Sequence, residues 1–134
     1  MGVGRTDTRQ IRTSEDVVAV RQIVREWSLA AGLGLVDQTK IVTAASELAR
    51  NQLDYGGGGT MTIEAVNDGP RRGVRLVFED QGPGIPDVEQ ALRDGYTSGS
   101  GLGLGLGGAK RLASEFHIDS RVGEGTRITI ARWK

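Results

Sequence analysis

The chain has no cysteine, which removes disulfides and thiolate metal sites and is compatible with a reducing cytosol. It has no excess charge of either sign: Lys+Arg and Asp+Glu both number 17. That argues against a nucleic-acid binder, whose phosphate contacts need clustered Lys and Arg, and leaves a protein partner or a small ligand. No apolar run approaches the roughly 20 residues of a membrane span, and the start, Met-Gly-Val-Gly-Arg-Thr-Asp, lacks a signal peptide's apolar stretch. A cytoplasmic protein without membrane contact is expected. There is no Gly-Lys-[Ser/Thr], so a Walker A nucleotide loop is excluded. Aromatics are scarce at 4%, and Trp27 and Trp133 read as packing residues. The single histidine, His117, reads as a half-buried strand residue and not as a catalyst.

Glycine is plentiful. There are 21 in 134 residues, concentrated at 56–59, 82–84 and 99–108, and such clusters mark places where backbone must come close to something. Hydrophobic content of 37% and charged content of 25% suit a globular protein, and residues 1–134 fit one domain.

Residues 1–6 read as a ragged terminus and Thr8–Thr13 as a short edge strand. Thr13 or Ser14, followed by Glu15 and Asp16, reads as a helix start. Val17, Val20, Ile23, Val24 and Trp27 continue it at helical spacing to about Ala31. A second helix is predicted from about Asp37 to Tyr55, stopped by Gly56–Gly59. Alternation in 60–79 around Asn67-Asp68-Gly69-Pro70 predicts a β-hairpin. A short amphipathic turn at Val88–Leu92, a loop at Asp94–Ser100 and a helix ending near Phe116 come next. His117–Arg121 and Arg127–Ala131 then make a closing hairpin. The order β-α-α-β-β-α-β-β predicts an α+β fold: a two-layer α/β sandwich, with a mixed, mostly antiparallel sheet and helices on one face.

Four segments carry the chemistry. Glu47 and Asn51 stand four apart on the second helix, about 40° apart around its axis. An amide oxygen suits Mg²⁺, and a carboxylate one turn away can deprotonate a hydroxyl attacking a phosphate. Solvated helix residues would look the same. Asp80 opens Asp-Gln-Gly-Pro-Gly after an apolar strand; it can accept a hydrogen bond from an adenine amino group, with Gly82 and Gly84 letting a flat base approach. The same residues also make an ordinary turn. Six of the ten residues 99–108 are glycine, and a helix follows, an arrangement that can cradle an anion. Gly103–Gly108 matches the dinucleotide fingerprint, but a polar loop precedes it and only 26 residues follow, too few for that sheet. Thr126, after Gly123-Glu124-Gly125, either reaches a base edge or serves a tight turn.

Taken in this order, the segments resemble the N, G1, G2 and G3 boxes of the GHKL ATPase/kinase superfamily, which folds as the Bergerat sandwich. The resemblance covers about residues 8 to 133. It is strongest to the small serine/threonine switch kinases of bacterial stressosome partner-switching systems, through Ser46–Asn51, Glu79–Asp87 and Gly123–Thr126. It implies Mg²⁺ and ATP as cofactors, with Asn51 on the metal and Glu47 as general base. Asp80 would hydrogen-bond adenine, Gly82 and Gly84 would lie under the base, and Thr126 would support it. Gly101, Gly103 and Gly105 would wrap the phosphates.

The implied substrate is a Ser or Thr of a STAS-domain antagonist, after which the kinase engages a second partner such as a PP2C-type phosphatase. The alternatives are a nucleotide-gated anti-sigma factor that sequesters a sigma factor, and a plain ATPase. A homodimer is compatible with each. The glycine loop carries more glycine than such a box needs, and Gly56–Gly59 after the second helix is unusually long; both predict weaker or more mobile nucleotide binding.

Overall fold

The computed structural model describes residues 2–92 and 105–134. Five strands and four helices follow in the order β1 (Gly2–Ile11), α1 (Ser14–Ala30), α2 (Leu35–Tyr55), β2 (Gly59–Asp68), β3 (Arg71–Asp80), α3 (Val88–Ala91), α4 (Gly105–Leu112), β4 (Glu115–Arg121) and β5 (Gly125–Trp133). The strands form one sheet in the order β1-β2-β3-β5-β4. Every neighbouring pair among the described residues is antiparallel, so the parallel component expected of a mixed sheet is absent from them.

Local chemistry sets the helix ends. The Thr13 hydroxyl accepts the Asp16 N–H at 3.2 Å, and the Asp16 carboxylate accepts the N–H groups of Thr13 at 3.1 Å and Arg12 at 2.8 Å. This reciprocal box satisfies donors that the first turn of α1 leaves open. Helix α2 ends where the N–H groups of Gly56 and Gly58 both return to the Gln52 carbonyl, at 3.0 and 2.8 Å.

The strand register places Met61, Ile63, Val74, Leu76, Phe78, Ile128 and Ile130 on one face of the sheet. Val17, Val20, Val24 and Trp27 of α1, Ile41, Ala45 and Leu48 of α2, and Leu106 and Ala109 of α4 complete the core with them. Each fully buried aliphatic side chain contributes about 1.5–3 kcal/mol. Arg132 fastens the layers together: its guanidinium donates to Asp37 at 2.7 and 3.0 Å and to the Leu112 carbonyl at 3.3 Å. One side chain of β5 thus holds the start of α2 and the end of α4.

The opposite face carries polar pairs. Thr8 and Thr62 share a hydroxyl hydrogen bond, and Arg75 pairs with Glu64 at 2.7 Å. Trp133 is buried on this face, not in the helix-covered core. Its indole N–H donates to Glu115, and the Arg71 guanidinium lies 4.5 Å above its ring. On edge strand β1, Arg5, Asp7 and Arg9 recur at alternate positions, and the register shifts between Val3 and Arg5. Arg5 covers the Trp27 ring at 4.1 Å.

Three expectations change. The strand begins at Gly2, because residues read as ragged pair with β2 from Gly2 opposite Asn67 onward. Helix α4 stops at Leu112, and Phe116 belongs to β4, where it faces Ile130. His117 is exposed on β4 instead of half-buried. No helix among the described residues is long and apolar enough to cross a membrane.

Candidate active site

Gly56–Gly59, Gly82–Gly84 and Gly123–Gly125 converge at one end of the sheet, where β3 ends and β2 and β5 begin. Asp80 is the last residue of β3 and lies opposite Thr126 in the register with β5. Its carboxylate accepts the Gly82 N–H at 2.9 Å. Burial pushes the Asp80 carboxyl above the usual aspartate range, and hydrogen bonds from the backbone at Gly82 and Thr126 pull it only part of the way back.

Glycine is required here by contact. A Cβ on Gly56 would sit 2.7 Å from the Asp80 carboxyl carbon, and one on Gly82 would sit 2.7 Å from the Gly56 Cα. At Gly125, with φ +109°, a Cβ would meet the Asp80 carbonyl at 2.1 Å; at Gly84, with φ +77°, it would meet the Arg121 carbonyl at 2.3 Å. Gly56, Gly58 and Gly59 therefore have a packing reason, while Gly57 has open space around it and a positive φ of +74°. Gly58 passes the Ile11 carbonyl and Gly59 the Glu79 carbonyl, at 2.7 and 2.3 Å from their would-be Cβ positions. These glycines bring the end of α2 against the strand that carries Asp80.

Glu47 and Asn51 lie on continuous α2, both half-buried, beside the fully buried Ala44 and Leu48. Four residues apart, they are neighbours on one helix surface. Helix α2 packs against α4, whose first residue is Gly105. Gly101 and Gly103 lie outside the described residues, as does the loop 94–100. Lys110 and Arg111 are in the last turn of α4, and both are exposed, as is Arg50.

Two residues of the site have no motif to announce them. Ser120 joins three segments: its hydroxyl accepts the Ile85 N–H at 2.8 Å, approaches the Gly125 carbonyl at 3.3 Å and lies 2.8 Å from the Thr126 hydroxyl. Its position opposite Thr126 in a hairpin closed by Gly123-Glu124-Gly125 was the available signal. The second is Gln52, next to Asn51, whose side-chain N–H groups donate to the carbonyls of Glu79 at 3.0 Å and Thr60 at 3.3 Å.

Among the described residues no group of three or more His, Cys, Asp or Glu is placed to hold a metal ion. The donors present suit a hard cation carried mainly by phosphate and water, with one amide oxygen added from Asn51. The Asp80 carboxylate lies among glycines whose added Cβ atoms would meet Asp80 itself or neighbouring backbone, and a carboxylate there can accept a hydrogen bond from an amino-bearing base.

Known proteins resemble this chain in sequence and in fold. Residues 36–134 match the family described as histidine kinase-, DNA gyrase B-, and HSP90-like ATPase. The chain is 48% identical over 124 residues to serine/threonine-protein kinase RsbT of Bacillus subtilis (strain 168), covering 92% of this chain and 93% of that protein. It is 31% identical to the anti-sigma F factor of Clostridium novyi (strain NT), over 70% of this chain and 69% of the relative. Among solved structures, the RsbU and RsbW domains of Rv1364c from Mycobacterium tuberculosis superpose with a TM-score of 0.67 at 23% identity, over 98% of this chain and 33% of that one. The mycobacterial sensor histidine kinase MprB gives a TM-score of 0.55 at 20% identity, over 96% and 97% of the two chains; both likenesses concern the fold. A family match across most of the chain, joined to a glycine-walled aspartate beside the Glu47–Asn51 helix, places this protein in the histidine kinase-, gyrase B- and HSP90-like (GHKL) ATPase family.

Proposed function

We propose that the protein, acting as one kinase domain over residues 1–134, is an ATP-dependent serine/threonine protein kinase of a bacterial partner-switching cascade. Its substrate is a hydroxyl of a STAS-domain antagonist, and transfer releases it to engage a PP2C-type phosphatase. The observation that carries this reading is that Glu47 and Asn51 share the helix whose C-terminal end packs against Asp80. One element then links the candidate base to the candidate purine reader. The likeness to a named serine/threonine kinase supports it.

In this mechanism Asp80 accepts a hydrogen bond from the adenine amino group, over Gly82 and Gly84, with Thr126 alongside. Gly105 opens α4, whose first-turn N–H groups favour anions, and Gly101 and Gly103 would extend the phosphate cradle. Asn51 offers its amide oxygen to Mg²⁺. When bound, Mg·ATP would supply the γ-phosphoryl group, and the metal held at Asn51 would offset the phosphate charge. Glu47 takes the proton of the attacking Ser or Thr hydroxyl as its oxygen bonds to phosphorus and the bond to ADP breaks. Positioning and charge carry most of the rate.

A second reading, a nucleotide-gated anti-sigma factor that holds a sigma factor, is favoured by the 31% relative of that name. The deciding experiment follows label from Mg·ATP to a purified STAS-domain protein, with Glu47→Gln in parallel. Kinase function predicts label with wild type and at least a 100-fold loss in the variant at unchanged ATP affinity. A nucleotide-dependent sigma complex without transfer would replace the kinase reading with the second. Label retained by Glu47→Gln would remove Glu47 from the role of base.

A further inference from the structure

Gln52 is 4% exposed, and the hydrogen bonds of its amide are only partly satisfied. Both known partners, the carbonyls of Glu79 and Thr60, are on the nitrogen side. The other half of the group, Oε1, is buried and has no partner among the described residues. A buried acceptor without a donor costs about 1–3 kcal/mol, and most buried side-chain polar atoms in folded proteins are paired. An apolar side chain would match the neighbouring Leu48 and Ala49 of α2, which are buried. Glutamine at this position therefore holds an acceptor that the described residues do not satisfy and that a bound ligand can.

The surroundings indicate which donor. A Cβ on Gly59 would lie 2.8 Å from the Gln52 Nε2, 2.3 Å from the Glu79 carbonyl oxygen and 3.1 Å from the Asp80 Cβ. The Gln52 amide and the Asp80 side chain thus flank the same glycine. The bond from Nε2 to the Glu79 carbonyl also grips the peptide that leads directly into Asp80.

We propose that Gln52 is a positioning and selectivity residue for the purine. Its amide nitrogen fixes the Glu79–Asp80 peptide, and its oxygen accepts a hydrogen bond originating at the 6-amino group of the bound nucleotide. The inference rests on the assignment of Asp80 as the purine-reading carboxylate, and the test separates the two.

The test compares ATP with purine riboside triphosphate, which lacks the 6-amino group, in wild type and in Gln52→Met. Wild type is expected to prefer ATP by about 100-fold in KM. In Gln52→Met the KM for ATP is expected to rise about tenfold, while that for the purine analogue and both kcat values stay within twofold. Parallel increases for both nucleotides would make Gln52 a structural residue and overturn the proposal while leaving Asp80 in place. No discrimination by wild type would instead overturn the assignment of Asp80 and the proposal with it.

A measurement on the wild-type chain keeps the test open should the variant fail to fold. The Gln52 side-chain amide resonances, assigned through their proximity to Gly59, are expected to move with ATP and to stay still with the analogue. Equal shifts with both nucleotides would overturn the proposal.

Discussion

Asp16 and Asp80 are the same residue in opposite circumstances. Asp16 lies in the first turn of α1, where hydrogen bonds from the backbone of Arg12 and Thr13 hold its carboxyl below the usual range. Asp80 lies at the end of β3, where burial raises it despite two backbone donors. The first carboxylate stabilises the element it begins. The second has burial working against its charged form, as is common at sites that must meet a ligand. Local hydrogen bonding serves the fold at one and a prospective binding partner at the other.

The sharpest way to break this contrast is Asp80→Asn. ATP affinity should fall about 100-fold, equivalent to about 2.7 kcal/mol, while nucleotide-free stability does not fall. Titration calorimetry beside urea denaturation checks both halves, and unchanged affinity would deprive Asp80 of its special standing. Next comes Gly125→Ala, which places a Cβ against the Asp80 carbonyl at a positive φ. It should cost about 2 kcal/mol of stability and weaken nucleotide binding as well, since the wall and the reader share that backbone.

Thr13→Ala should cost about 1 kcal/mol of stability and leave ATP affinity unchanged, separating the cap from the site. The smallest effect is in pH dependence. The raised carboxyl of Asp80 adds stability below the ordinary aspartate value of 3.8 and loses it as pH rises through its folded value. The lowered carboxyl of Asp16 contributes above 3.8 and loses that contribution as pH falls through its folded value. Urea midpoints across acid pH should therefore flatten on opposite sides of 3.8 in Asp80→Asn and Asp16→Asn.

Much of the architecture was legible because its signals are local. Thr13 with Asp16 announces a helix start, and the alternation from Met61 to Phe78 around Asn67–Pro70 announces a hairpin. The α+β order followed from these. What escaped was set by pairing at long range. Gly2–Thr6 has no apolar alternation and becomes a strand because β2 offers it an edge. Phe116 continues a helical pattern in sequence but is claimed by Ile130 across the sheet. In the site, Glu47, Asn51, Asp80 and the flanking glycines could be named from their spacing, while Ser120 and Gln52 could not. Gln52 acts by reaching the carbonyls of Thr60 and Glu79, which its spacing does not announce, and Ser120 is hinted at only by its place opposite Thr126 in the closing hairpin.

Strand β1 offers a last consequence. A free strand edge invites another chain to add itself, and alternating charges together with an interrupted register are established deterrents. The run Arg5, Asp7 and Arg9, with the shift between Val3 and Arg5, gives this border both. At the other border, β4 presents His117, Asp119 and Arg121 as exposed residues. The sheet is thereby discouraged from growing sideways, so any complex the chain enters is kept from becoming a permanent strand-to-strand union.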